Sequence, residues 1–221
     1  TAFAQRLAGG SPLLDTDPPP GEVDIVLDVA SPDDQAYFLF TSGSTGTPKC
    51  IACSHAPLAH FVRWQAEEFG LNREDRFSML SGLSHDPLMR DIFAPLSLGA
   101  TLLIPEQATI REPGRLHRWF SEEGATVAHM TPPLGQVLLS TDRNPKPLAR
   151  LRHIFWGGDL LRPALLGDVS RLAPNVQHTN FYGSTETPQA AAFFRFDGAM
   201  DWKTLPVGKG VAGFQLAIVD E

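Results

Sequence analysis

Alternation between short apolar runs and stretches of helical length constrains the fold of this 221-residue chain more than any other feature. Apolar runs fall at Ala36–Phe40, Cys50–Cys53, Arg76–Leu80, Thr101–Ile104, Thr126–Met130, Leu151–Trp156 and Val176–Tyr182, with a last one near Gly213–Asp220. Stretches with helical character separate them at Ala56–Phe69, Pro87–Leu98, Pro113–Glu123, Pro133–Leu139 and Arg162–Leu172. Strands separated by helices of about 10–15 residues indicate βαβ units and a mainly parallel sheet. The expected fold is α/β, with mainly parallel sheets flanked by helices and with ligands at the carboxyl ends of the strands.

Residues 1–35 read differently. Ser11-Pro12, Pro18-Pro19-Pro20-Gly21 and Ser31-Pro32-Asp33-Asp34 break the chain so often that only a short strand near Val23–Val29 is expected. That segment reads as a connector or a cut-off start, and residues 36–221 as the core. Nothing repeats at a fixed period. A net charge of −7, from 25 acidic and 18 basic residues, argues against DNA or RNA as a partner, because that affinity is largely electrostatic. With no apolar run of about 18 residues and no charged start leading into an apolar stretch, neither a membrane span nor a signal peptide is expected, and the chain reads as cytoplasmic. The two cysteines, Cys50 and Cys53, form a C-x-x-C that cannot complete a four-ligand zinc site alone; their apolar run favours a buried strand over a redox pair.

The most informative segment is Phe40-Thr41-Ser42-Gly43-Ser44-Thr45-Gly46-Thr47-Pro48-Lys49. Glycines let backbone N–H groups approach phosphate oxygens, the hydroxyls add donors, and Lys49 adds positive charge. The G-x-x-x-x-G-K-[ST] spacing of a Walker A loop fails, since Thr47 and Pro48 separate Gly46 from Lys49. On composition alone a flexible surface turn remains an equal reading.

Thr41–Lys49 resembles the phosphate-binding signature of the adenylate-forming superfamily, which includes acyl-CoA synthetases, luciferases and the adenylation domains of nonribosomal peptide synthetases. The resemblance extends in order through Tyr182-Gly183-Ser184-Thr185-Glu186-Thr187 and Pro206-Val207-Gly208-Lys209-Gly210 to Ile218-Val219-Asp220-Glu221. It implies that residues 36–221 form part of the large N-terminal subdomain, without the C-terminal lid subdomain and its catalytic lysine. It also implies ATP and Mg²⁺ as cofactors. Thr41, Ser42, Gly43, Ser44, Thr45, Gly46 and Lys49 would hold the β- and γ-phosphates. Tyr182 would lie against adenine with Gly183 beside it, Thr185 at the α-phosphate, and Glu186 as the magnesium ligand, so that Lys49, Thr185 and Glu186 face the reacting groups. Gly157-Gly158-Asp159 is similar to the small-residue segment against which adenine packs, and Asn180 would face the adenine amino edge. The implied reaction is activation of a carboxylic acid as its acyl-adenylate.

Ser81–Phe93 opens an apolar helix, and Asp86-Pro87 has the form of an N-cap followed by proline at the first helical position. By resemblance, Asp86 stands where amino-acid-activating domains keep an aspartate for the substrate α-ammonium. The stretch His85-Asp86-Pro87…Arg90-Asp91…Phe93, with Pro113–Leu116 and Thr131-Pro132…Gly135-Gln136, is similar to the adenylation domains of α-aminoadipate reductases. Arg90 would then pair with a second substrate carboxylate, the alternative being a structural pair with Asp91 or another acid. The family's pocket pattern assigns Met130, Phe155, Gly157, Phe181 and Gln189 to the lining. His85 stands where many relatives carry Phe, and a structural hydrogen bond is its plainer reading. The implied partners are a small-molecule carboxylic or amino acid and a carrier-protein domain bearing phosphopantetheine. A stand-alone acyl-CoA ligase and a catalytically silent nucleotide-binding module are the alternatives. Since no lysine among Lys49, Lys146, Lys203 and Lys209 obviously replaces the missing one, this chain alone is expected to turn over little or nothing.

Overall fold

The computed structural model describes residues 30–41, 48–83, 85–141, 144–187, 189–196 and 205–219. The chain divides after Ser31, and the architecture that follows is that of Pro32–Glu221. The strand expected near Val23–Val29 lies outside the described residues.

Strands β1 (Gln35–Thr41) and β2 (Lys49–Ser54) pair antiparallel as a separate two-stranded sheet, with Thr41 opposite Lys49. Cys50 and Cys53, an odd number of residues apart on a strand, face opposite sides, so Cys53 is buried and Cys50 exposed. The expectation of a buried strand therefore holds for Cys53 alone, because one face of β2 is open. Helix α1 (His55–Phe69) follows directly. Its buried Leu58, Phe61, Val62, Gln65 and Phe69 recur at helical spacing, and left-handed Gly70 (φ 61°) ends it by donating its N–H to the Ala66 carbonyl.

The next elements are β3 (Arg76–Ser78), α2 (Pro87–Leu98), β4 (Thr101–Leu103), α3 (Gln107–Arg111), α4 (Arg115–Glu123) and β5 (Val127–Met130). They are followed by α5 (Pro132–Leu139), β6 (His153–Trp156), α6 (Pro163–Leu172), β7 (Gln177–Tyr182), β8 (Ala192–Arg195) and β9 (Lys209–Gly210). One seven-stranded sheet results, in the order β4-β3-β5-β6-β7-β8-β9. The first five of these run parallel, and β8 and β9 add antiparallel at one edge.

Both faces of the sheet are covered, so successive residues of its central strands enter different cores. Ala128, Met130, Ile154 and Trp156 pack with Leu116 and Phe120 of α4, Leu138 of α5 and Leu165, Leu166 and Val169 of α6. Phe77, Val127, Phe155, Phe181 and Phe193 pack with Leu58, Phe61, Trp64 and Phe69 of α1 and Ala94 of α2. Each fully buried Leu or Phe contributes about 1.5–3 kcal/mol, which is why strands of only four residues persist.

Two expectations need correction. Helix α4 starts at Arg115 rather than Pro113, after left-handed Gly114 (φ 77°). No strand forms over residues 213–219, and Asp220 lies outside the described residues. Pairing to β8 ends at Gly210, the chain turns with Phe214 N–H bonded to the Val211 carbonyl at 2.8 Å, and Ile218 and Val219 are left exposed with no neighbouring strand.

Candidate functional site

Because β5, β6 and β7 lie side by side and parallel, their carboxyl ends bring Met130, Gly157-Gly158-Asp159 and Tyr182–Glu186 to one edge of the sheet. Tyr182 is 58% exposed there. Gly183 approaches the backbone so closely that a Cβ would lie 3.0 Å from Ala190 Cα. A tight turn follows, in which Thr187 donates its N–H to the Ser184 carbonyl (3.0 Å) and Ser184 donates its N–H to Thr187 Oγ1 (3.1 Å). Thr185 and Glu186 form the tip of that turn, Thr185 half-buried and Glu186 exposed. Asp159 Oδ1 accepts the Leu160 N–H at 2.7 Å, and Asn180 Nδ2 donates to the Pro206 carbonyl at 3.3 Å, tying β7 to the segment before β9. Thr41 and Lys49 face each other across the mouth of the β1–β2 hairpin, whose loop residues Ser42, Gly43, Ser44, Thr45 and Gly46 lie outside the described residues.

An exposed aromatic ring beside two glycines fits a flat purine base. Among the described residues no cluster of three His, Cys, Asp or Glu side chains could hold a metal ion. A single exposed carboxylate such as Glu186 fits Mg²⁺, which takes one or two protein carboxylates and completes its shell with phosphate oxygens and water.

A second group of residues gathers at the start of α2. Asp86 precedes Pro87 as expected of an N-cap, yet its side chain makes no capping bond and its backbone is already helical (φ −56°, ψ −32°). The capping reading thus fails, and the carboxylate turns instead towards the backbone N–H of Gln189 and the Arg90 charge. Burial lifts the Asp86 carboxyl above the usual carboxylate range, while the Arg90 charge, nearby backbone N–H groups and His85 pull the other way. One helical turn on, Arg90 is 5% exposed and makes no contact ion pair among the described residues, so the alternative reading of a structural pair with Asp91 is not met, although the Asp91 charge is felt there. Its Nη1 donates to the Gln189 carbonyl at 2.9 Å, its Nε has no partner, and its guanidinium lies 5.8 Å from the Phe61 ring centre and 5.6 Å from that of Phe181. A Cβ on Gly157 would meet the Phe181 carbonyl at 3.5 Å and Arg90 Nη2 at 4.0 Å, ordinary contact distances that place this glycine beside the guanidinium.

Gln189 holds this group together at a conformational cost. Its left-handed backbone (φ 76°) costs about 1–2 kcal/mol for a non-glycine residue. In return its carbonyl meets Arg90, its Nε2 donates to the Asp86 carbonyl at 3.4 Å, and its buried Oε1 is left without a partner. Phe155 and Phe181 stack at 5.1 Å on the same face of the sheet. Met130 does not join them: its side chain belongs to the opposite face, with Trp156.

Sequence reasoning missed the residues behind this group. His129 stacks on Phe155 at 5.1 Å, donates from Nδ1 to Asp91 Oδ1 (2.8 Å) and accepts from Gln65 Nε2 (2.7 Å). Burial keeps that ring below its usual pKa, against the pull of Asp91. Tyr37 also closes on the group: its buried hydroxyl lies beside Gln189 and Cys53 without a well-aligned hydrogen bond, and burial first, then Cys53, pushes its pKa up to about 12. Polar residues on four separated elements carry no common spacing, so no sequence pattern announces them. A groove of about 1160 Å³ between α1 and α2, lined by Tyr37, Leu58, Val62, Met89, Phe93 and Leu96, contains none of the expected site residues.

Comparison with known proteins gives a consistent result. A model of the AMP-binding enzyme family matches residues 7–221. The L-2-aminoadipate reductase large subunit of Eremothecium gossypii is 40% identical over 200 residues, which are 87% of this chain and 14% of that protein. The chain thus spans about one-seventh of the reductase's length. Among solved structures, the nonribosomal peptide synthetase FmoA3 superposes with a TM-score of 0.77 at 33% identity, over 84% of this chain and 20% of that one. The Vibrio cholerae adenylation domain AlmE, in complex with glycyl-adenosine-5'-phosphate, gives 0.75 at 29% identity, over 83% of this chain and 34% of that one.

Proposed function

As the chain belongs to the AMP-binding enzyme family, we propose that it supplies the ATP and acid sites of an enzyme that activates an amino dicarboxylic acid as its acyl-adenylate. A substrate carboxylate oxygen attacks the α-phosphorus of ATP, the bond from that phosphorus to the bridging oxygen breaks, and pyrophosphate leaves with the electron pair. No proton is gained or lost, so positioning and charge neutralisation dominate the task.

Tyr182 takes one face of adenine, with Gly157 and Gly158 leaving room for it, and Asn180 stands near its amino edge. Thr185 donates to the α-phosphate, while Thr41, Lys49 and the hydroxyl-rich loop between them hold the outer phosphates. Glu186 would hold Mg²⁺, which would supply positive charge against that building on the phosphate oxygens. At the other end Asp86 pairs with the substrate α-ammonium in a charge-assisted bond strengthened by partial burial. Gly157, Phe155, Phe181 and Gln189 flank the acid. The acyl group of the adenylate then passes to the phosphopantetheine thiol of a carrier domain: a C–S bond forms, the bond from the acyl carbon to the AMP oxygen breaks, AMP leaves, and the thiol proton goes to solvent.

The observation that supports a dicarboxylic substrate is Arg90: a buried guanidinium that feels the charges of Asp86 and Asp91 but touches no carboxylate among the described residues, with an unpaired Nε, and flanked by two aromatic rings. A buried guanidinium N–H left without an acceptor is costly, and a ligand carboxylate received by the planar fork removes that cost. The adenylate that AlmE holds is that of an amino acid, in keeping with this reading. ATP–pyrophosphate exchange on the full-length protein, screened with amino acids that carry a side-chain carboxyl, tests it. Exchange with one such acid, abolished by Asp86→Ala and by Glu186→Ala, is the expected result. Exchange only with acids lacking an amino group, or none with any acid, sinks the proposal.

A further inference from the structure

The geometry points to Asp91 as a positioning residue that sets the acid-binding end of the site, a role that rests on the function proposed above. Asp91 is 0% exposed and follows Arg90 on α2. Its Oδ2 accepts the backbone N–H groups of Leu80 (3.3 Å) and Ser81 (3.1 Å), just beyond β3. Its Oδ1 accepts Nδ1–H of His129 on β5 (2.8 Å). That fixes the neutral ring with Nε2 as acceptor, and Gln65 Nε2 on α1 donates to it at 2.7 Å. One carboxylate therefore joins two helices, a central strand and the start of the segment that leads into Asp86.

This arrangement does more than fill space. A buried charge fully ringed by donors is seldom more stable than an apolar side chain of its size, so its retention calls for a geometric reason. The bonds from Asp91 back to Leu80 and Ser81, eleven and ten positions earlier, close the chain around the segment that presents Asp86. They also fix the rotation of α2 about its axis. Since neighbouring residues of a helix point about 100° apart, anchoring Asp91 towards His129 sends Arg90 towards Phe181 and the Gln189 carbonyl. Asp86 and Arg90, the two charges assigned to the acid, thus take their aim from a residue that touches no substrate.

The test compares Asp91→Leu and Asp91→Asn with the wild type in the full-length protein. Asp91→Leu is expected to raise KM for the acid roughly tenfold or more while changing KM for ATP less than about twofold, because misplacement by an ångström is felt only where it occurs. Amide hydrogen exchange at Leu80 and Ser81 should quicken in the same variant, with Tyr182 unaffected. In Asp91→Asn the amide oxygen keeps the two backbone donors, and its NH₂ faces His129. The ring then moves its proton to Nε2, visible in the ¹⁵N spectrum, Gln65 turns its amide to accept, and acid KM stays within about threefold.

Equal rises in both KM values, an unchanged acid KM in folded Asp91→Leu, or unaltered protection at Leu80 and Ser81 would overturn the proposal. If Asp91→Leu does not fold, Asp91→Asn decides it, and a His129 proton still on Nδ1 is then the adverse result. Absence of exchange in the wild type with every acid defeats the proposed function instead, while the amide-exchange and ¹⁵N results still judge the tether.

Discussion

Acidification should destabilise this fold through His178 by an amount that can be worked out. The ring is 4% exposed, on β7 against α6. Trp156 donates Nε1–H to His178 Nδ1 at 3.0 Å, so the ring proton sits on Nε2, 3.0 Å from Ser170 Oγ. A second proton would have to go on Nδ1, facing another donor in a dry core. Burial accordingly lowers its pKa from 6.5 to about 4, although the Leu166 carbonyl works against this. A folded pKa below the unfolded one means that the unfolded chain binds the proton first. The stabilisation is therefore complete above pH 6.5 and is lost as pH falls towards 4. At about 1.36 kcal/mol per pH unit the full loss is about 3 kcal/mol, of which about 2 kcal/mol is already gone at pH 5.

Urea unfolding of the wild type and of His178→Gln at pH 7.5 and pH 5 isolates this term. Glutamine retains one acceptor and one donor but cannot take up the proton. His153, whose pKa burial also lowers to about 4, titrates equally in both proteins and cancels. The stability gap between the two proteins should move by about 2 kcal/mol in favour of the variant at pH 5. A gap that stays constant to within about 0.5 kcal/mol would mean that the folded ring accepts a proton as readily as the unfolded one, and that its burial carries no such penalty.

Two further outcomes follow from packing. A Cβ at Gly135 on α5 would lie 2.7 Å and 2.8 Å from ring atoms of Trp156, which is held by its bond to His178. Gly135→Ala should therefore lower the urea midpoint, the clash of about 1–3 kcal/mol exceeding the gain of up to about 1 kcal/mol in helix propensity, and an unchanged or higher midpoint contradicts this. Tyr37→Phe removes a buried hydroxyl that meets Gln189 and Cys53 without a well-aligned hydrogen bond, so stability should change by less than about 1 kcal/mol, and a larger loss in thermal unfolding would show that the hydroxyl is satisfied.

The sequence was most legible where one physical demand acted alone. Val127–Met130 and His153–Trp156 are buried throughout, and a run that is buried on both faces shows itself as a run. Helix α1 was equally clear from the spacing of Leu58, Phe61, Val62 and Phe69. The five residues of α3 are too few for a period to emerge, and the chain after Gly210 has strand-like composition with no strand to pair with. In the site, Asp86 and Arg90 stood out as charges opening an apolar helix. Met130 and His129 were indistinguishable as to face until the register of β5 fixed which one joins Phe155, and Asp91 acquires a role only once Leu80, Ser81 and His129 surround it.

The strand order has a kinetic consequence. After β4 has paired with β3, β5 takes the open edge of β3, and each later strand settles beside the one made just before it, through β6, β7, β8 and β9. No strand must be inserted between two that are already joined. Parallel pairings are slow to form because each waits for its crossover, but here they can form in the order of synthesis. A nascent chain arrested after any strand from β5 onward would hold a shorter sheet in its final register, with one open edge ready for the strand that emerges next.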